Sequence, residues 1–239
     1  MNNTHIIRIP ILPMGMINAF LVIHDHHCIL LDSGLPDTES KVEKALKSNG
    51  LSFADITLIV ITHAHIDHAG NAGLIRKLST APIVAHEGDL PFLTGKAPMT
   101  FCPTGWFGQL FKKTGLIEKP YHSFEPDILL KDQDAMDLTS FGIPAMAKHT
   151  PGHTQGSISV VLKNKEALVG DLVSSGILLG GIMRKNHAKR PPFEDDPHRV
   201  GNELQSMVRS GVDIFHMGHG GPLHAKEVSR HAQNLLKLM

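Results

Sequence analysis

Four side chains of the types that bind metal ions lie within one short stretch of this 239-residue chain: His63, His65, Asp67 and His68. His63 and His65 are two residues apart, so in an extended segment both side chains point to the same side. A zinc ion takes about four ligands in a tetrahedron, and a catalytic zinc keeps one position for water. Four ligands packed this closely do not suit one ion, so the cluster predicts two adjacent metal ions.

Two ions with three protein ligands each need more residues than this cluster offers. Three further candidates, His153, Asp171 and His219, each lie in a loop of small residues that follows an apolar stretch. Loops at strand ends are where sites are commonly built on a rigid scaffold. The chain has 17 histidines, and for most of the others we expect ordinary hydrogen-bonded or surface positions. His86 and His224, like His216, remain open because each lies near the end of a predicted strand.

Short apolar stretches predict the strands that must position these residues. Strands are predicted at residues 6–12, 19–23, 28–31, 56–62, 82–85, 128–130, 145–148, 157–162, 167–169 and 213–217. Helices are predicted at residues 38–48, 72–78, 199–209 and 225–238. Antiparallel-type strands come first and strands alternating with helices come later, which indicates an α/β fold of two sheets with helices outside.

Two segments differ from this pattern. Residues 88–126 are rich in Gly, Pro and Phe and contain the single Trp and the single Tyr of the chain. They predict an inserted flap, which either roofs a pocket or packs as a surface insertion. Residues 186–198 contain three prolines among charged residues, so we predict an exposed loop there.

Composition excludes several classes of protein. Lys and Arg total 23 and Asp and Glu total 23, and this balance argues against a protein that binds a phosphate backbone. With only Cys28 and Cys102, a disulfide framework is excluded, and we expect two free, buried thiols.

The N-terminal residues lack a basic start and are interrupted by Pro10, Pro13 and Gly15, which does not fit a signal peptide. No stretch approaches the roughly 18 apolar residues of a transmembrane helix. We therefore expect a cytoplasmic protein that acts on a small molecule and binds neither nucleic acid nor membranes. A homodimer is expected only from the frequency of such assemblies.

The spaced motifs together resemble the metallo-β-lactamase superfamily, from the segment at residues 30–34 to that at 218–220. The resemblance implies an αβ/βα sandwich of two mixed β-sheets with helices on the outer faces, as one domain over residues 1–239. It places the metals at one edge of the two sheets. It further implies ligands for a first metal (His63, His65, His153), ligands for a second metal (Asp67, His68, His219), a bridge between them (Asp171) and a supporting carboxylate behind the ligands (Asp32).

Differences among subfamilies narrow the expected activity. Asp171 is typical of glyoxalase II-like and lactonase-like members, whereas true β-lactamases lack it. His65 stands where flavodiiron oxygen reductases usually carry glutamate. Only 20 residues follow His219, whereas glyoxalase II proper carries a further helical region there. N-acyl homoserine lactonases usually place a tyrosine shortly after the bridging aspartate, and this chain has none at that place.

The resemblance implies a hydrolase that cleaves a small carbonyl ester, thioester or lactone with a hydroxide held between two zinc ions, iron or manganese being alternatives. Asp67 would orient the nucleophile and pass a proton to the leaving group. Two other activities stay open. One is a mononuclear iron dioxygenase of the persulfide type, using His63, His153 and Asp171. The other is a phosphodiesterase or nuclease on the same fold, which the balanced charge disfavours.

Overall fold

The computed structural model describes residues 4–238. Within them, the first of two large β-sheets follows chain order, and its strands are β1 (Thr4–Leu12), β2 (Ile17–His24), β3 (His27–Leu31), β4 (Ile56–Val60), β5 (Ile83–His86) and β6 (Ile128–Leu130). The first three strands pair in antiparallel fashion, and β3 to β6 pair in parallel. The sheet is therefore mixed.

The second sheet is also mixed. Its strands are β7 (Ala135–Asp137), β8 (Ala145–His149), β9 (Ile158–Leu162), β10 (Glu166–Leu168), β13 (Ile214–His216) and β14 (Leu223–His224). Between β10 and β13 in the chain, β11 (Ser174–Ser175) and β12 (Ala188–Lys189) pair with each other in a separate two-stranded sheet. The order across the second sheet is β14-β13-β10-β9-β8-β7. Only β10 and β13 pair in parallel within it.

Helices connect and cover the sheets. They are α1 (Glu39–Ser48), α2 (Ile66–Ala69), α3 (Ala72–Ser79), α4 (Leu90–Leu93), α5 (Gly105–Lys112), α6 (Pro197–Arg209) and α7 (Ala225–Leu235). Short 3-10 turns lie at Pro13–Gly15, Phe53–Asp55, Glu87–Asp89, Leu116–Glu118 and Leu138–Phe141. In the described part of the chain, no helix has both the length and the apolar character needed to cross a membrane.

The core has three apolar layers, because the central strands are buried on both faces. On β2, Phe20 and Val22 face the space between the sheets, whereas Ala19 and Leu21 pack on the opposite side with α1 and α3. Val200 of α6 and Val228 of α7 pack on the outer face of the second sheet. This αβ/βα sandwich confirms the predicted fold class.

Two local predictions were wrong in part. Residues 191–194 are buried, whereas an exposed loop was predicted for 186–198. Backbone hydrogen bonds hold this stretch against the inserted segment, from Thr104 N–H to the Pro192 carbonyl and from the Glu194 N–H to the Cys102 carbonyl. Cys28 is buried as predicted, but Cys102 is exposed. The prolines and charged residues of this stretch therefore indicate irregular structure at residues 191–194, but not exposure to solvent.

Candidate metal centre

Five strand ends meet at one edge of the sandwich and carry the predicted ligands there. Asp32 directly follows β3, and the segment that begins at His63 follows β4. His153, Asp171 and His219 each come a few residues after β8, β10 and β13. All seven predicted ligands are thereby brought together, and they form three overlapping sets whose ligand atoms lie within 4.8 Å of one another.

The first ligand group consists of His63, His65 and His153, all buried. The Nε2 atom of His63 lies 3.0 Å from Nδ1 of His65, and Nε2 of His153 lies 3.1 Å from each of these two atoms. Zinc–nitrogen bonds of about 2.0–2.1 Å in a tetrahedron place ligand nitrogens roughly 3.3–3.4 Å apart. The three nitrogens therefore converge closely enough to hold one zinc ion.

A hydrogen-bonded chain behind His63 leaves its Nε2 atom free to bind a metal. Asp32 accepts hydrogen bonds from the backbone N–H of Thr62 at 2.8 Å and from its hydroxyl at 2.9 Å. Because that hydroxyl donates to Asp32, its oxygen accepts from Nδ1 of His63 at 3.0 Å. The lone pair of His63 then lies on Nε2, which faces His65 and His153.

The second ligand group consists of Asp67, His68 and His219. His68 donates from Nδ1 to Asp32 Oδ2 at 2.7 Å, and His219 donates from Nδ1 to the Met16 carbonyl at 2.6 Å. These bonds turn the Nε2 atoms of both rings toward Asp67. Oδ2 of Asp67 lies 3.7 Å from Nε2 of His68 and 3.3 Å from Nε2 of His219. Partners of this kind fix the ring orientation of metal-binding histidines.

Asp171 lies between the two groups. Its Oδ1 is 3.4 Å from Nε2 of His68, and its Oδ2 is 3.0 Å from Nε2 of His219 and 3.8 Å from Nε2 of His153. Among the described residues, Oδ1 of Asp171 and Nε2 of His68 are buried atoms that make no hydrogen bond. Since buried polar atoms are normally satisfied, a cation between them fits these residues well.

Two glycines let the strand ends approach each other this closely. A Cβ atom on Gly218 would lie 2.4 Å from both Oδ1 of Asp171 and Cε1 of His68. Gly170 has a φ of +52°, and a Cβ there would lie 2.8 Å from the Thr62 hydroxyl. Any larger residue at either position would push a ligand or its support out of place.

The protonation states of the two groups differ. Burial lowers the pKa of His65 to about 3 and that of His153 to about 4, so both rings are neutral at pH 7. Burial also acts on His219, but the attraction of Asp171 and Asp67 outweighs it and raises its pKa to about 10. Burial likewise opposes charge on His68, and its neighbouring carboxylates raise its pKa well above the ordinary value.

These pKa shifts predict that metal binding releases protons from the second group. His68 and His219 are protonated at neutral pH without a metal, and they must lose those protons to bind one. We expect these two histidines to release about two protons per chain at pH 7.5, in addition to the proton lost by metal-bound water, and the metal affinity to rise with pH toward about 10. Calorimetry in buffers of different ionisation enthalpy measures this number. Metal binding whose heat is the same in every buffer would contradict it.

The raised pKa of His219 also makes the stability of the metal-free protein depend on pH. The folded-state pKa of His219 lies above its ordinary value of 6.5. Its protonated form therefore stabilises the metal-free protein fully below pH 6.5, and this contribution is lost as the pH rises through about 10.

The histidines that the sequence left open lie outside the ligand groups. His86 is buried, stacks on His149 with ring centroids 3.6 Å apart, and bonds to the Asp132 carbonyl. His216 pairs with Glu166 at 2.7 Å. His224 is exposed at the start of α7. None of the three belongs to a set of converging ligand atoms in residues 4–238.

Sequence reasoning missed several residues that contact the ligands. Phe101 stacks on His65 with ring centroids 5.0 Å apart, and Phe193 meets the same ring edge-on at 6.4 Å. Asp89 is a buried carboxylate that bonds to the ligand loops. The available signal was modest: Asp89 is a carboxylate just beyond a strand end, like Asp32 and Asp171.

A cavity of about 560 Å³ opens over the ligands. Side chains of the inserted segment, including Phe101, Phe111 and Leu116, line it together with Phe193 and Leu179. His65, Asp67, His153, Asp171 and His219 also reach its wall. The cavity is thus mostly apolar, with the ligand side chains forming its polar part.

A sandwich of two mixed sheets with paired histidine and aspartate ligand groups at one edge defines a metal-binding α/β protein. Residues 12–219 match the sequence model of the metallo-beta-lactamase superfamily. The chain therefore belongs to that superfamily, as its spaced motifs predicted.

Individual relatives agree with this membership. The chain is 25% identical over 212 residues to the probable metallo-hydrolase YflN of Bacillus subtilis (strain 168), covering 84% of this chain and 78% of that protein. It is 41% identical over 213 residues to metallo-beta-lactamase domain-containing protein 1 of Mus musculus, covering 87% of this chain and 65% of the mouse protein.

Among solved structures, the B3 metallo-beta-lactamase BLEG-1 aligns with a TM-score of 0.69 at 21% identity, over 97% of this chain and 99% of that one. A metallo-beta-lactamase family protein from Thermus thermophilus aligns with a TM-score of 0.67 at 21% identity, over 98% of this chain and 78% of that one. At this level of identity, the likeness shows the shared fold alone.

Proposed function

We propose that this metal-dependent hydrolase is a dinuclear zinc enzyme that cleaves a small carbonyl ester, thioester or lactone. The observation that carries the proposal is the position of Asp171, whose carboxylate lies against His68 and His219 of the second group and also 3.8 Å from Nε2 of His153 in the first group. His63, His65 and His153 would hold one ion, Asp67, His68 and His219 the other, and Asp171 would contact both. Bound zinc supplies Lewis acidity and lowers the pKa of a water molecule to about 7.

Asp67 is the side chain best placed to move a proton. It reaches the cavity wall, and its carboxylate lies 3.3 Å from Nε2 of His219. Burial alone would raise its pKa, but His68 and His219 hold that pKa well below the ordinary value. Asp67 is therefore ionised at neutral pH, and its carboxylate can orient an attacking water and take up its proton as the bond to the substrate forms. It can then deliver that proton to the leaving group.

The cavity supports a small and partly apolar substrate. Its volume of about 560 Å³ suits a molecule of metabolite size. Phe101, Phe111 and Phe193 offer apolar contacts to the part of the substrate that does not react, and Phe101 and Phe193 also pack on the ring of His65. The balanced charge of the chain, with 23 residues of each sign, offers little attraction for a nucleic acid.

A single iron bound by His63, His153 and Asp171 is less well supported. That arrangement leaves Nδ1 of His65 pointing at two other ring nitrogens, 3.0 and 3.1 Å away, without a metal role. It also leaves Asp67, His68 and His219 as a converging set with no function. Two ions use every one of these atoms.

Metal-reconstituted protein assayed with lactones, thioesters, aryl esters, β-lactams and phosphodiesters tests this proposal. We expect turnover of at least one carbonyl ester, thioester or lactone, and its loss when the metal is removed. The same preparation after chelation and dialysis is the control, and added zinc should restore it. Turnover of phosphodiesters or β-lactams alone would overturn the proposal.

A further inference from the structure

The backbone of Ala64 is held at both of its peptide groups. Its N–H donates to Oδ2 of Asp89 at 2.8 Å, and its carbonyl accepts from the hydroxyl of Tyr121 at 2.9 Å. Ala64 is buried and lies between His63 and His65 in the chain. Fixing these two peptide groups therefore fixes the backbone that carries two of the three members of the first ligand group.

Asp89 also holds the loop that carries the third member. Its Oδ2 accepts from the Thr154 hydroxyl at 3.0 Å, and its Oδ1 accepts from the backbone N–H of Gly156 at 2.9 Å. Thr154 directly follows His153 in the chain. One carboxylate thus joins the loop after β4 to the loop after β8.

The packing around Asp89 leaves little freedom for these contacts to shift. Its side chain is 1% exposed, and three hydrogen bonds surround it. A Cβ atom on Gly156 would lie 2.5 Å from the backbone nitrogen of Asp89, so the loop approaches as closely as a glycine allows. Burial raises the pKa of Asp89, while hydrogen bonds from Ala64, Thr154 and Gly156 act in the opposite direction.

The second ligand group is positioned by other residues. His68 is held by Asp32, and His219 is held by the Met16 carbonyl. None of the hydrogen bonds of Asp89 or Tyr121 among residues 4–238 reaches Asp67, His68 or His219. Asp89 and Tyr121 therefore support the first group alone, whereas Asp32 bonds directly to His68 and reaches His63 through Thr62.

We propose that Asp89, assisted by Tyr121, is a positioning residue that sets the geometry of the first ligand group selectively. The inference rests on the proposed metal site and adds a support that acts on one of its two halves. Asp89 and Tyr121 both belong to the segment at residues 88–126, which also lines the cavity. The segment that lines the cavity thus also holds the backbone of the ligand loop.

Asp89→Asn tests the proposal with little change in shape. The amide keeps one acceptor oxygen, but its NH₂ group then faces either the Ala64 N–H and Thr154 hydroxyl or the Gly156 N–H. Loss of a partner that orients metal ligands typically costs about 10–100-fold in metal affinity. We expect a fall in this range for the first group, measured by titration with Co²⁺ and its visible absorption.

Introducing Asp89→Asn into two parent variants shows which ligand group loses affinity. His219→Ala disrupts the second group and leaves His63, His65 and His153, whereas His65→Ala disrupts the first group. Asp89→Asn should weaken Co²⁺ binding by about tenfold or more in the His219→Ala background. It should leave binding nearly unchanged in the His65→Ala background. Equal losses in both backgrounds, or no loss in the first, would overturn the proposal.

Asp127→Asn is the matched control. Asp127 accepts from the Ile83 N–H and pairs with Arg76, at the edge of the sheet where β5 and β6 begin and thus opposite the ligands. This variant should bind Co²⁺ like the original protein in both backgrounds. Wild-type protein that binds no Co²⁺ would refute the proposed function as well. Normal wild-type binding with an unaffected Asp89→Asn would refute this inference alone.

Thr154 provides a second test that does not alter Asp89. Thr154→Ser keeps the hydroxyl that bonds to Asp89, whereas Thr154→Val removes it at nearly the same volume. We expect weaker Co²⁺ binding at the first group for Thr154→Val and normal binding for Thr154→Ser. The same affinity in both variants would contradict the role of Asp89. This pair decides the matter if Asp89→Asn fails to fold by circular dichroism.

Discussion

Replacing Asp67 by alanine should lower kcat/KM by about 10³-fold or more while the fold persists. General acid–base catalysis alone typically contributes about 10²–10⁴-fold. Asp67 also faces Nε2 of His68 and of His219, so its loss weakens the second ligand group as well. His68→Ala should have a comparable effect. Steady-state kinetics on the substrate found by the panel, with metal content measured in parallel, checks both variants.

Asp137→Asn is a suitable control for this pair. Asp137 is an exposed carboxylate that accepts from the Thr139 N–H, outside the ligand groups, and asparagine is well tolerated at such a position. It should retain the original rate. Near-normal turnover of both Asp67→Ala and His68→Ala at full metal content would contradict the assigned roles.

Asp171→Asn should produce a second large loss, again about 10³-fold or more in kcat/KM. Asp171 is the only carboxylate among the described residues that contacts ligands of both groups, so its loss should reduce metal binding to about one ion per chain. It also stabilises the protonated form of His219. The pKa of His219 in metal-free protein should therefore fall from about 10 toward its ordinary value, as measured by NMR titration.

Glu166→Gln is the matched control for Asp171. Glu166 also pairs with a histidine, with 2.7 Å between its Oε2 and Nε2 of His216, but this pair belongs to no ligand group. The variant should keep both metal ions and the original rate. Retention of two tightly bound ions by Asp171→Asn would show that Asp171 does not join the two groups.

The candidate site could be predicted from the sequence because each ligand lies in a short local pattern. His63, His65, Asp67 and His68 lie in a single segment, and the distant ligands each follow an apolar strand. Asp89 also follows a strand, but its role could not be predicted, because its partners Ala64 and Thr154 are 25 and 65 residues away. Contacts of this kind depend on how loops approach one another, which local spacing does not encode.

The strands were predicted well where both faces are buried, since continuous apolar stretches mark them. Residues 56–62 were predicted as one strand, yet β4 ends at Val60. The chain leaves the sheet there because the Thr62 N–H bonds to Asp32 and its carbonyl accepts from Ile158. The terminal helix ends at Leu235 and not at residue 238. Element ends depend on such tertiary contacts, and periodicity does not report them.

The number of metal ions per chain tests the dinuclear site most directly. Protein produced in medium of controlled metal content should bind about two zinc ions per chain. His219→Ala should then bind about one, because only the first ligand group remains complete. Wild-type protein that saturates with a single iron ion, held equally well after His219→Ala, would contradict the dinuclear site and the hydrolysis proposed from it.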